Sequence, residues 1–206
     1  MAAITTLNIA NMALSHIGAR VTLAAFPTAA STGIINESIF LWYDLSRRQI
    51  LEAFNWSFAR QLSPILTDHA DDPDDTEGLW SYRYALPADL LKVREVMNPT
   101  NVGSDAIPYE IGVSRVLGTQ SIQSNVDDMQ LIYTFDNEDP TFFSDYFTEA
   151  LSHLLASNIA FPITRKRSLK GDHLNVYRQL LGIAAAHDAN ERVEEAPRDA
   201  EWIRNR

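Results

Sequence analysis

Apolar residues recur three or four apart at Leu7, Ala10, Leu14 and Ile17, which predicts a short helix with one apolar stripe. Thr5 or Thr6 stands where a hydroxyl N-cap belongs, and Gly18 where a left-handed terminator does. Pro27 and the small residues around it, across 19–31, read as a loop. The helical spacing returns at Ile35, Ile39, Trp42, Leu45, Ile50 and Phe54, predicting a long second helix capped by Thr32 and ending near Asn55. Past Trp56 the period shortens. Y-R-Y-A-L-P (Tyr82 to Pro87), L-L-K-V-R-E-V-M (Leu90 to Met97), P-Y-E-I (Pro108 to Ile111) and M-Q-L-I-Y-T-F (Met129 to Phe135) carry alternating or β-branched residues between turn signals. They predict short antiparallel strands, about five to seven in all. In the second of them Leu91, Val93 and Val96 are interleaved with Lys92, Arg94 and Glu95, giving one buried and one wet face with a bulge near Glu95.

Helical spacing resumes after Asp139-Pro140, read as a cap and a first-turn proline. Phe147, Ala150, Leu151, Leu154, Leu155, Asn158 and Ile159 continue it until Pro162. A fourth helix is expected from about Ser168 to Ala189. Leu169, Val176, Tyr177, Leu180, Ala184 and Ala185 lie on its apolar side, opposite Asp172, Arg178 and Gln179. After Asn190 the pattern stops, and 191–206 reads as a charged tail ending in W-I-R-N-R. Two helices, a run of strands and two more helices imply an α+β fold. Its expected form is a four-helix bundle with a small antiparallel β domain inserted between the second and third long helices. The expected divisions are 1–60 and 139–190 for the halves of the helical domain, 61–138 for the inserted β domain, and 191–206 for an extended tail.

Of the 206 residues 46% are apolar, including four Trp, nine Phe and seven Tyr, so the chain can bury a core and disorder is not expected. A net charge of −10 weighs against binding nucleic acid by neutralising phosphates. Cysteine is absent, which removes disulfides, thiolate metal sites and a Cys nucleophile. No window approaches the roughly 20 apolar residues that span a bilayer, and Met1-Ala2-Ala3-Ile4 does not start a signal pattern. The expectation is a soluble, uncleaved chain with no membrane partner.

Asp44, Arg48 and Glu52 follow one another at intervals of four on the second helix, a spacing that forms ion pairs on a solvated face. The competing reading has Arg47 and Arg48 facing a neighbouring subunit. Asp68, Asp71, Asp72, Asp74, Asp75 and Glu77, near His69, form an acidic stretch. Its spacing is not that of an EF-hand, and Pro73 interrupts it. It reads as a solvated loop, as a hard-cation site, or as a like-charged channel wall past which DNA slides. Arg165, Lys166, Arg167 and Lys170 read as a cationic C-terminus for the third helix, as a contact for an acidic partner, or as a phosphate contact. G-x-S-x-G, H-E-x-x-H, G-x-G-x-x-G and the Walker loop are missing, and His16, His69, His153, His173 and His187 are scattered singly, so none is assigned chemistry.

The order of I-A-N-M-A-L-S-H-I-G-A (Ile9 to Ala19), Y-D-L-S-R-R-Q-I-L-E-A-F-N-W-S-F-A-R (Tyr43 to Arg60), Y-A-L-P-A-D-L-L-K-V (Tyr84 to Val93), D-P-T-F-F-S-D-Y-F-T-E-A-L (Asp139 to Leu151) and the terminal W-I-R-N-R resembles the tail tubular protein A family of short-tailed phages. The resemblance runs over nearly the whole chain and is weakest from Asn98 to Asp127. It implies a head-to-tail adaptor of the virion, a dodecameric ring assembled in the host cytoplasm between the portal protein and a tail nozzle resembling tail tubular protein B, with double-stranded DNA passing through its centre. It also implies a helical bundle with an inserted β domain, no cofactor and no turnover. On that footing Arg198, Trp202, Ile203, Arg204 and Arg206 are expected to dock on the portal, as aromatic and Arg anchors do at interfaces. Tyr82, Tyr84 and Tyr109 are candidates for the nozzle side, or for the core of the strand lobe. The alternatives are another phage connector or head-completion protein, or a metal-dependent hydrolase built on the acidic loop and His69.

Overall fold

The computed structural model describes residues 4–68, 80–98, 107–114 and 118–190. Among these the fold is mixed α+β, with four helices and two small antiparallel three-stranded sheets. Helices α1 (Thr6–His16) and α2 (Ile34–Ala53) precede strands β1 (Arg60–Leu62), β2 (Tyr82–Ala85), β3 (Leu90–Met97), β4 (Tyr109–Ser114), β5 (Thr119–Ser124) and β6 (Gln130–Phe135). Helices α3 (Asp145–Thr164) and α4 (Arg167–Asn190) follow.

Local chemistry sets most boundaries. The Thr5 hydroxyl accepts from the Asn8 N–H at 3.2 Å, and Gly18 follows the helix at φ +71°, a conformation that costs a side-chain-bearing residue more than glycine. The buried face of α1 is Ile9, Ala10, Ala13 and Leu14, with Leu7 only half-buried, so the stripe is rotated from the one its spacing predicts. Gly33, not Thr32, is the N-cap of α2; the Gly33 N–H is met by the Glu37 carboxylate at 3.1 Å. Asp139 caps a separate 3-10 turn, Pro140–Phe142, whereas α3 begins later under the Ser144 hydroxyl. Helix α3 also runs through Pro162. Proline there forfeits the bond to the Asn158 carbonyl, but the flanking Ile159, Ala160 and Ile163 all pack into the core and hold the last turn in place.

Helix α3 is the centre of the helical layer, and α1, α2 and α4 each pack against it. Its fully buried small residues, Ala150, Ala156, Ala160 and Ser152, let neighbouring axes come close, while Phe147, Leu151, Leu155 and Ile159 supply the apolar area. Each such large side chain stabilises the fold by about 1.5–3 kcal/mol when fully buried.

The sheets are ordered β1-β6-β3 and β2-β5-β4. Tyr84 and Ile122 from one, and Val93, Val96, Leu131 and Tyr133 from the other, share an apolar cluster with Met129. The expected bulge in β3 is present as register shifts between Leu90 and Lys92 and between Val93 and Glu95. Leu91 consequently joins the helical core, while Val93 and Val96 serve the sheet cluster. Strands β1 and β5 carry no motif singled out in the sequence; β1 is only Arg60–Leu62, exposed throughout.

Sheet and helices are joined around Trp56. Its ring is fully buried among Phe54, Phe58 and Phe147, and its indole N–H donates to the Ile50 carbonyl at 2.7 Å. The Trp56 carbonyl accepts from the Arg94 guanidinium of β3 at 2.7 Å, and Arg94 also donates to Thr134 of β6 at 2.8 Å. From the other end, the Asp188 carboxylate of α4 accepts from the Ser57 N–H at 2.8 Å and its hydroxyl at 2.6 Å.

Candidate interaction surfaces

Two adjacent arginines of α2 do different work because successive helical residues point about 100° apart. Arg47 turns inward and is 1% exposed; Arg48 is 52% exposed. The Arg47 guanidinium donates to the Asp136 carboxylate, and to the Asn137 carbonyl at 2.8 Å, while Arg48 Nε meets the other Asp136 oxygen at 2.9 Å. Asp44 and Glu138 stand 3.6 and 3.7 Å from the second Arg47 amino group. Asp136 directly follows β6, so the pair ties the end of that strand to α2. Arg47 is thus enclosed by its own chain, which corrects the expectation that it faces a neighbouring subunit. Arg48 pairs with Asp136 in place of the expected partners one turn away on its own helix, because that carboxylate is already held beside it by Arg47.

The outward face of α2 is apolar in part. Leu41 is 66% exposed and Leu45 44%, and with Ile34 they fall seven and four residues apart in one stripe. Phe40 is exposed on its flank. Leu45 was expected in the core; the buried face instead follows Ile39, Tyr43, Ser46, Arg47, Ile50 and Leu51. On α4 the large exposed apolar residues are Val176, expected inward, and Ile183. Strand β4 exposes Tyr109, Ile111 and Val113.

The aromatic candidates of the strand lobe separate. Tyr84 is buried, its hydroxyl donating to the Val126 carbonyl at 2.7 Å; burial first and the nearby Asp68 second push its pKa up to about 12. A partner cannot reach Tyr84, which corrects its nozzle-side assignment in favour of the core reading. Tyr82 is half-buried and stacked on Tyr84, and Tyr109 remains exposed. Asp68 is not part of a solvated loop either. Its carboxylate accepts from the Arg83 N–H at 3.1 Å and its backbone bridges to Tyr84, so it lies half-buried along the middle of β2. Asp71, Asp72, Asp74, Asp75 and Glu77, with His69, lie outside the described residues, as do Arg198, Trp202, Ile203, Arg204 and Arg206.

In the basic segment, Arg165 is the C-cap of α3 at φ +62°, its N–H donating to the Phe161 carbonyl at 3.0 Å. Backbone geometry therefore closes this helix, and Arg167 lies with its guanidinium 5.6 Å from the Phe161 ring centroid.

Folding also gathers three histidines that are far apart in sequence. His16 of α1, His153 of α3 and His173 of α4 have ring centroids 3.9, 5.4 and 6.0 Å apart. Their separation along the chain hides this grouping; the one signal is that all three fall within segments predicted as helices. Among the described residues no group of three His, Cys, Asp or Glu side chains converges as a metal-holding set, and no helix is long and apolar enough to cross a membrane.

These features define a mixed α+β protein whose buried charges join helix to strand and whose exposed apolar residues include a stripe on α2 and others on α4 and β4. Compared with known proteins, the chain matches no family model and no curated sequence.

Proposed function

We propose that the protein is a structural head-to-tail adaptor of a short-tailed phage, a ring of identical subunits between portal and tail nozzle through which DNA passes. In this reading the helices form a bundle, the strands an inserted domain, and the residues beyond Asn190 reach the portal. The observation that carries the subunit contact is the exposed stripe of Ile34, Leu41 and Leu45 on α2. Apolar side chains aligned on one face of a rigid helix lose solvated area when a second copy covers them, at about 25 cal/mol per Å² buried. A ring closes when that surface meets a different surface on the next copy; exposed Val176 and Ile183 on α4 supply one. The order of motifs resembling tail tubular protein A supports the same assignment, and the −10 charge suits a channel that must not hold DNA. Arg48, still half-exposed, stands at the edge of the stripe.

The test is to mix the purified protein with the portal of the same phage and count subunits around the axis of the complex by electron microscopy. A closed ring seated on the portal is the expected result. A protein that stays monomeric and leaves the portal bare would refute the assignment.

A further inference from the structure

We propose that His16, His153 and His173 form an acid-sensitive clasp, which holds α1 and α4 against α3 while the rings are neutral and loosens that packing when they take up protons. The geometry limits how many protons the cluster can accept. His153 Nδ1 and His173 Nδ1 lie 3.3 Å apart, so one nitrogen donates and the other must be bare. Were both rings imidazolium, two N–H groups would point at each other. The other side is equally constrained. The Ser152 hydroxyl donates to the Glu149 carbonyl at 2.7 Å, so His16 Nε2, 3.0 Å from that oxygen, is the donor to it. His16 lies almost parallel to His153 at 3.9 Å between centroids and 16° between planes, a stack in which two cations would repel. His173 Nε2 is buried with no hydrogen-bond partner, so a proton placed there has no acceptor.

The surroundings supply little to offset this. Helix α1 carries no other ionisable side chain. From α3 Glu149 favours a charged His16, the one attraction against burial and His173. On α4 the sequence neighbours Lys170 and Asp172 are exposed, and Tyr177, one turn after His173, is half-buried and held neutral by burial. Burial, then His16 and His173, push His153 down to about 4 from 6.5, and His16 is lowered as well. A depressed histidine binds fewer protons folded than unfolded, so its contribution is intact above about pH 6.5 and is lost as pH falls toward 4. The clasp does not depend on the adaptor reading.

The experiment is urea unfolding of the full chain at steps between pH 7.5 and pH 5, for wild type and His153→Gln, with the histidine Cε1–H resonances followed by NMR in the folded wild type. The expected result is a wild-type midpoint that falls across this window, a variant that loses more than half of that dependence, and His153 resonances that keep their neutral positions at pH 5. A wild-type midpoint constant with pH, or His153 titrating near 6.5 in the folded protein, overturns the proposal; the NMR result decides even where the variant does not fold. A midpoint raised by equimolar zinc in wild type but not in the variant would also overturn it, by making the cluster a metal site.

Discussion

The two consecutive arginines separate burial from chemistry, since both contact the same carboxylate. Arg47 is enclosed and Arg48 half in water. Removing one partner of a buried pair leaves the other charge desolvated, whereas an exposed pair is screened and entropically costly to hold. Arg47→Ala is therefore expected to lower unfolding stability by about 3 kcal/mol, and Arg48→Ala by no more than about 1 kcal/mol, measured by urea titration at neutral pH. Equal losses would show that the enclosure of Arg47 carries no energetic consequence. None of this was legible from R-R in the sequence. Helical spacing offered Asp44 and Glu52 as the partners of Arg48, but the carboxylate it meets, Asp136, is 88 residues further on and enters only when β6 returns to α2.

At the scale of elements, the sequence was most legible where the cause is local. Thr5 and Gly18 bracket α1 because a cap and a left-handed stop act within a few residues. The bulge beside Glu95 was visible because charged and apolar positions slip out of alternation there. Boundaries failed where packing overrode propensity, as at Pro162, or where two capping signals competed, as at Asp139 and Ser144. Helix α4 offers a direct test of propensity. Gly171 and Gly182 have open space where a Cβ would go, so an alanine there meets no clash. Each of Gly171→Ala and Gly182→Ala is expected to raise stability by about 0.5–1 kcal/mol, read as a higher thermal midpoint. A loss at either site would mean that α4 needs the flexibility of glycine.

For the whole molecule the question is which surface is left over once the core is filled. Leu41→Asp with Leu45→Asp is expected to leave the monomer folded by circular dichroism, because both side chains face solvent, and, under the proposed adaptor function, to abolish ring formation on the portal. Unchanged assembly would move the subunit contact elsewhere, with β4 and its exposed Ile111 and Val113 as the next surface to examine.

What the chain determined alone was periodic: four amphipathic helices, a run of strands between them, a net negative charge and no thiol chemistry. Those properties are set by residues within one or two turns of each other, or by simple sums over the chain. Tertiary structure alone decided that Arg47 is a buried joint, that Tyr84 belongs to the core, that Leu45 faces water, and that three distant histidines meet between α1, α3 and α4. The physical reason is that periodicity identifies a face but not its neighbour. Burial and ionisation depend on which other elements arrive at that face, and in this fold His173 arrives at His16 from 157 residues away.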